Sequence, residues 1–343
     1  INCRVKKRKN LDKAAYQSLL LSGVFWGFVP LFYKKSLLAV SIIVFLAIRF
    51  TIAASVVFIS ERKKFIHIKP KLFMAIIGFA IIDMLLINVI YSIGIQKTTI
   101  LHAAIISLIN PFLVYLFAAI ILKEKPHKIV LIGSSVAVLG LLAIVLSSIQ
   151  STNSGAPSTV VGDIILSFGA VVGAFTVVIG RKLLSQKKRI PPEQLGFLEY
   201  AVAAVPFIII ATATGAWGVV ATLSIQTWLW IIAASVLSGS IPVVLYYRSV
   251  RRLPAERLAD ISFVIPAVSG AVGIVFMGES LTLGFIIGTA IVITGLLISH
   301  KKIHPVLVAH KLGSEERTVQ MLFRTPKRAY EYIAVEAKNT LHL

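Results

Sequence analysis

Acidic residues are scarce in this chain: 14 Asp and Glu stand against 35 Lys and Arg in 343 residues. Charged residues make up only 14% of it, where a soluble domain carries about a quarter. Cys3 is the single cysteine, which excludes a disulfide framework and any cysteine-built metal site. No G-x-x-x-x-G-K-[ST] loop occurs, so ATP-driven transport within this chain is excluded. H-E-x-x-H, a Cys/His ligand cluster and the G-x-S-x-G elbow are missing as well. The expectation is a protein with no catalytic residues, no metal and no cofactor, and not an enzyme. The front of the chain has no charged n-region followed by a short apolar core and a small-residue cleavage site. Its first apolar run therefore reads as an uncleaved span.

Hydrophobic residues make up 57% of the chain. They fall into apolar segments at roughly 14–33, 37–59, 72–95, 98–122, 127–149, 160–180, 195–215, 227–247, 255–278 and 281–299. Each approaches the ~20 residues that a helix needs to cross ~30 Å of hydrocarbon, so the spacing predicts ten membrane helices. A basic arm, 1–13, precedes them, and a net basic tail, 300–343, follows. The polar stretch 150–159, rich in Ser, Thr and Asn, is the longest interruption and divides the chain in two.

The two parts repeat each other. Pro111, Glu124, Gly133 and Gly140 recur as Pro266, Glu279, Gly288 and Gly295 at a constant offset of 155. Tyr91/Tyr246, Ala104/Ala259, Ile106/Ile261 and Ser107/Ser262 share that offset. Five helices is an odd number, so a duplicated five-helix unit enters the membrane the opposite way the second time. The expected fold is an all-α membrane protein of ten transmembrane helices in two inverted five-helix repeats, 14–149 and 160–299. Secondary transporters use that architecture, with a substrate site near midplane between the halves.

The positive charge supports this threading and argues against nucleic acid as its partner. Of the 35 basic residues, all but Lys34, Lys35, Lys97 and Arg49 fall in the arm, the tail or the connections on the same side as the arm. Positive charge marks the cytoplasmic side. Both termini are expected there, in a multi-pass protein of the cell (plasma or inner) membrane, with 150–159 as an extracytoplasmic linker. The pairs Gly23-xxx-Gly27 and Gly169-xxx-Gly173 mark places where helices can approach closely.

Arg49 and Asp83 lie mid-span in the second and third segments, each ~15 Å deep at ~1.5 Å rise per residue. A charge at the bilayer centre costs at least ~2.5 kcal/mol, so the two are expected to pair and to face a substrate cavity. Asp83 is the deep carboxylate and the proton-coupling candidate. The amides of Asn88 and Asn110 can bind polar substrate groups or cross-link helices. Trp26, Tyr91 and Tyr246 are aromatic candidates for the cavity wall, the last two matched by the repeat. Pro111 and Pro266 each remove a backbone hydrogen bond and kink their helices, freeing carbonyls that are tolerated where they line a cavity. Glu124 and Glu279 fall at helix ends and read as caps of the helices that follow them. His102 reads as a structural donor able to titrate near neutrality.

These residues resemble the EamA-type families of the drug/metabolite transporter superfamily. The likeness rests on Ser-Gly-Val-Phe-Trp-Gly-Phe at 22–28, Ala-Ile-Arg-Phe-Thr-Ile-Ala-Ala at 47–54 and the two Pro…Glu…Gly…Gly stretches. It covers roughly 14–299. The resemblance implies a carrier of small organic metabolites, often outward, with a cavity lined by helices one to four and six to nine. One deep arginine beside several amides suits amino acids or similar small acids. The alternatives are a drug/cation efflux carrier and an organic-anion exchanger of the same fold. A membrane-embedded enzyme and a passive pore find less support. The expected partners are a small-molecule substrate and the bilayer, with a homodimer compatible with both.

Overall fold

Apolar composition and polar punctuation set the helices. The structure, a computed structural model, describes residues 2–121, 129, 132–133, 135–140, 142–143, 159–184, 191–250, 253, 261–295 and 297–298. Among these all regular structure is helical. In chain order the helices are α1 (Asn2–Gly27), α2 (Val29–Ser36), α3 (Ile42–Glu61), α4 (Pro70–Gln96), α5 (Ile100–Ser107) and α6 (Asn110–Ile121). The second half has α7 (Val160–Leu184), α8 (Pro192–Ala213), α9 (Ile225–Ser235 continuing to Ile241–Val250), α10 (Ile261–Met277) and α11 (Leu283–Gly295). Their starts follow local chemistry: Ser41, Thr99 and Ser224 cap α3, α5 and α9 with their hydroxyls. Pro70 and Pro192 begin α4 and α8, where a missing N–H is harmless.

Five stretches are long and apolar enough to cross a membrane: Lys13–Ser36, Ile42–Lys64, Pro70–Gln96, Glu193–Ala213 and Ile225–Tyr246. Shorter apolar helices run Ile100–Val114, Val160–Thr176, Val264–Met277 and Leu283–Gly295. The fifth expected segment, 127–149, lies largely outside the described residues, as do Glu124, 150–158 and the tail. Exposed Ile59, Ile209, Val275 and Leu283 belong to the outer, apolar surface. Exposed apolar side chains in such number suit lipid.

Each half packs mainly against the other, and the contacts are reciprocal. The centre is α3 against α8, with Phe50 on Tyr200 and Phe207. The first helix, α1, lies against the end of α9 and against α10; its repeat counterpart α7 lies against the end of α4 and against α6. The glycines of the repeat make the tightest case. A Cβ on Gly140 would sit 2.7 Å from the Gly288 carbonyl, and one on Gly295 would sit 2.5 Å from the Gly133 carbonyl. The second residue of each motif thus meets the first residue of the other copy, as in a two-fold contact between identical surfaces. Gly27 likewise lets α1 close on Val268 of α10, where a Cβ would come within 2.5 Å.

Candidate substrate site

Arg49 enters the core from α3, seven residues after Ile42 and so ~10 Å along the axis. It is 5% exposed. Its guanidinium lies 5.1 Å from the ring centres of both Tyr33 on α2 and Phe50. One terminal nitrogen stands 3.5 Å from the side-chain oxygen of Asn88, the outer limit of a hydrogen bond. The same oxygen accepts a 2.7 Å bond from the Tyr33 hydroxyl. The Asn88 amide nitrogen donates to the Met84 carbonyl at 2.7 Å, which turns its oxygen toward Arg49. Tyr91 meets Tyr33 edge-on at 5.2 Å.

Two features of Arg49 stand out chemically. Its Nε is buried without a hydrogen-bond partner. No carboxylate lies within 4.0 Å of it among the described residues. Burying a cation costs several kcal/mol, while two ring contacts return about 0.5–2 kcal/mol each. The group that would complete this shell is an anion.

The expected Arg49–Asp83 pair does not form. Asp83 accepts a 2.7 Å bond from the Thr176 hydroxyl on α7. Depth along a helix follows from counting residues, but direction around it does not. Asn88 points at α3, while Asp83, five positions earlier on the same helix, faces another side of it. Asp83 therefore looks to α7. It sits in a wide, π-type turn, Ile81–Leu86, whose counterpart is Val236–Ser240 in α9. Their starts, Ile81 and Val236, again differ by 155, so the repeat extends to a backbone irregularity. Such turns leave a carbonyl free and recur at functional sites. In α9 serine hydroxyls occupy the freed positions: Ser238 donates to Ala234 at 2.7 Å, and Ser240 to Ser235 and to Ala53 of α3 at 3.2 Å each.

The other candidates are distributed around this centre. Trp26 and Tyr246 pack together at 5.2 Å, so the repeat-matched Tyr91 and Tyr246 both rest on the first span, Lys13–Ser36, at Tyr33 of α2 and Trp26 of α1. Those two positions are seven residues, about two turns, apart. Asn110 begins α6, its side-chain oxygen buried without a hydrogen-bond partner. The fourth segment breaks between Ser107 and Asn110, directly before Pro111, whereas α10 runs on through Pro266. Sequence reasoning missed Tyr33, Tyr200 and Thr176, whose roles arise from neighbours far away in the chain.

Polar clusters tie the halves at both ends of the bundle. At the end holding the 61–70 connection, Glu61 accepts a 2.6 Å bond from Arg248 of α9 and also pairs with Lys64. Lys64 stands 3.8 Å from Glu193 of α8. The Gln194 side chain bonds both the N–H and the carbonyl of Ile66, at 3.0 and 2.8 Å. At the opposite end Glu279 accepts from the N–H groups of Ile100 and Leu101, at 2.7 and 2.8 Å. It does cap a helix, but α5 of the other half rather than the helix that follows it. Gly278, at φ +64°, turns the chain so that this reach is made. Nearby, the imidazole Nδ1 of His102 lies 2.8 Å from the carboxylate of Asp163 on α7.

With this geometry in hand, comparison with known proteins is direct. The sequence profile of the EamA-like transporter family matches residues 13–146 and again 160–300. An uncharacterized transporter of Archaeoglobus fulgidus is 24% identical over 231 residues, covering 66% of this chain and 76% of that protein. The uncharacterized transporter YetK of Bacillus subtilis is 26% identical over 211 residues, and the chain spans 61% of its length. A solved crystal structure with 17% identity superposes with a TM-score of 0.56, covering 88% of this chain and 99% of that one, a likeness of fold alone. The apolar helices, the doubled profile and these relatives agree: this chain is a membrane protein that belongs to the EamA-like transporter family.

Proposed function

We propose that the protein is a secondary carrier that exports small organic metabolites bearing a carboxylate, such as amino acids, by alternating access between two inverted repeats. The observation that carries this reading is Arg49, a buried cation with, among the described residues, an unpartnered Nε and no carboxylate within 4.0 Å. Tyr33, Asn88 and Tyr91 supply its hydroxyl, amide and aromatic surroundings, and Trp26 packs on Tyr246 further along the first span; Asn110 is the further amide candidate. Asp83, in its wide turn against Thr176, is the coupling-proton candidate. The reciprocal glycine contacts support two repeats threaded oppositely, and the asymmetry of basic residues supports cytoplasmic termini in the cell membrane. On this reading 1–13 is a cytoplasmic arm, 150–159 an extracytoplasmic linker and 300–343 a cytoplasmic tail.

A second reading, efflux of lipophilic cations, draws on one further feature. A cavity of about 300 Å³ between α4 and α7 is lined by Ala75, Gly78, Phe79, Ile82, Phe175 and Thr176, among others. Asp83 follows Ile82 and is bonded to Thr176. Counterflow in proteoliposomes separates the two readings. Saturable exchange of amino or organic acids, lost in Arg49→Gln and kept in Asp83→Asn without a gradient, supports the first. Exchange of cationic dyes alone, indifferent to Arg49 and lost in Asp83→Asn, overturns it in favour of the second.

A further inference from the structure

The two polar clusters that join the halves differ in chemistry. The one around Glu61 is built from glutamate, lysine and arginine, none of which ordinarily titrates near neutrality. The opposite one contains His102, whose type does. Asp163, 0% exposed, holds the imidazole Nδ1 of His102 at 2.8 Å and accepts from the hydroxyls of Thr98 and, at 3.4 Å, Thr159. Gly162 seats this end of α7 on the chain just before α5, where a Cβ would fall 2.5 Å from the carbonyl carbon of Lys97. His102 and Thr98 belong to the first half, Asp163 and Thr159 to the second. On the carrier reading, parting the halves at this end pulls the pair apart.

We infer that His102 and Asp163 form a proton-binding site that controls opening at this end of the bundle. The inference rests on the carrier reading for its role in a transport cycle. The imidazolium adds a coulombic attraction to its hydrogen bond with the buried carboxylate, whereas the neutral ring keeps the hydrogen bond alone. Proton binding therefore holds the halves together here, and proton loss lets them part. Among the described residues the charged groups near the pair from the packed elements include Glu279, which caps α5, Lys34 of α2, which stands near Glu279, and Lys97 at the end of α4. The ring also stacks on Phe285 of α11 at 5.6 Å. The proton is taken from bulk water and returned to it, so no other reactant is needed.

The test uses the full chain in lipid, with Cys3→Ser and nitroxides on Gln96→Cys and Val161→Cys, exposed positions beside the Lys97–Gly162 contact. Between about pH 5.5 and pH 8, where histidine titrates, the open-to-closed ratio read from dipolar coupling should rise roughly tenfold, equivalent to about 1.4 kcal/mol. His102→Gln should flatten that response, and His102→Lys should hold the closed coupling at every pH. A wild-type coupling independent of pH, or a His102→Gln profile like the wild type, overturns the proton site. Counterflow in the same vesicles keeps the readings distinct. Its absence with the pH response intact overturns the carrier and leaves the proton site standing.

Discussion

Replacing Arg49 by methionine tests the central argument, because ligand-free stability should hold while binding falls. The substitution keeps an unbranched stem of similar reach in the space among Tyr33, Phe50 and Asn88 and removes the charge. Lost are two ring contacts, about 0.5–2 kcal/mol each, and a marginal 3.5 Å bond to Asn88. Removed too are a buried donor without a partner, which costs about 1–3 kcal/mol, and much of the desolvation of the cation. The relief equals or exceeds the loss. The ligand-free protein should lose no more than about 1 kcal/mol, where truncating one member of a buried ion pair costs about 3–5 kcal/mol. Binding should respond very differently. Hydrogen bonds to a charged group contribute about 1.5–3 kcal/mol, so affinity for a carboxylate substrate should fall between about tenfold and somewhat over a hundredfold. The assay is thermal unfolding in detergent with and without a transported acid. At 100 times its dissociation constant a ligand stabilises the wild type by about 2.7 kcal/mol, and in Arg49→Met that increment should fall to about 1.4 kcal/mol for a tenfold loss of affinity and to about 0.3 kcal/mol at the upper end of the range. A variant that unfolds several kcal/mol more easily without ligand, and is still stabilised by the acid, would refute the reasoning: Arg49 would then be a structural charge.

Two further outcomes follow from contacts between the halves. Glu279→Ala leaves the N–H groups of Ile100 and Leu101 without their carboxylate and should destabilise by about 2 kcal/mol, with Glu279→Gln recovering part through its amide oxygen. Equal melting of Glu279→Ala and wild type would deny the cap any weight. Gly295→Ala and Gly140→Ala should each cost about 1–3 kcal/mol through overpacking. The double variant should cost less than their sum, because the first methyl already separates the helices. Strict additivity in a double-mutant cycle of unfolding free energies would show that the two contacts are independent.

Much of the fold was legible in the residues. Apolar runs of membrane length, few charges and polar punctuation specify helices in lipid, because a backbone without water must satisfy its hydrogen bonds within each segment. The offset of 155 marked the duplication, and the structure carries it into the wide turns at Ile81 and Val236 and the crossed contacts of Gly133, Gly140, Gly288 and Gly295. Residue counting also put Arg49 deep along its helix, because rise per residue is nearly constant.

Tertiary structure alone decided who meets whom. Arg49 and Asp83 lie at similar depth on consecutive helices, yet rotation about the axis turns Asp83 to Thr176 and gives Arg49 to Asn88 and Tyr33. Glu279 caps a helix start 179 residues back along the chain, and Asp163 finds His102 from the other half. Pairings of this kind depend on azimuth and on packing between halves, and local sequence encodes neither. One-dimensional order could set what each helix is and how far its side chains lie from its ends, whereas the partners of its polar groups came from the way two copies of one unit close on each other.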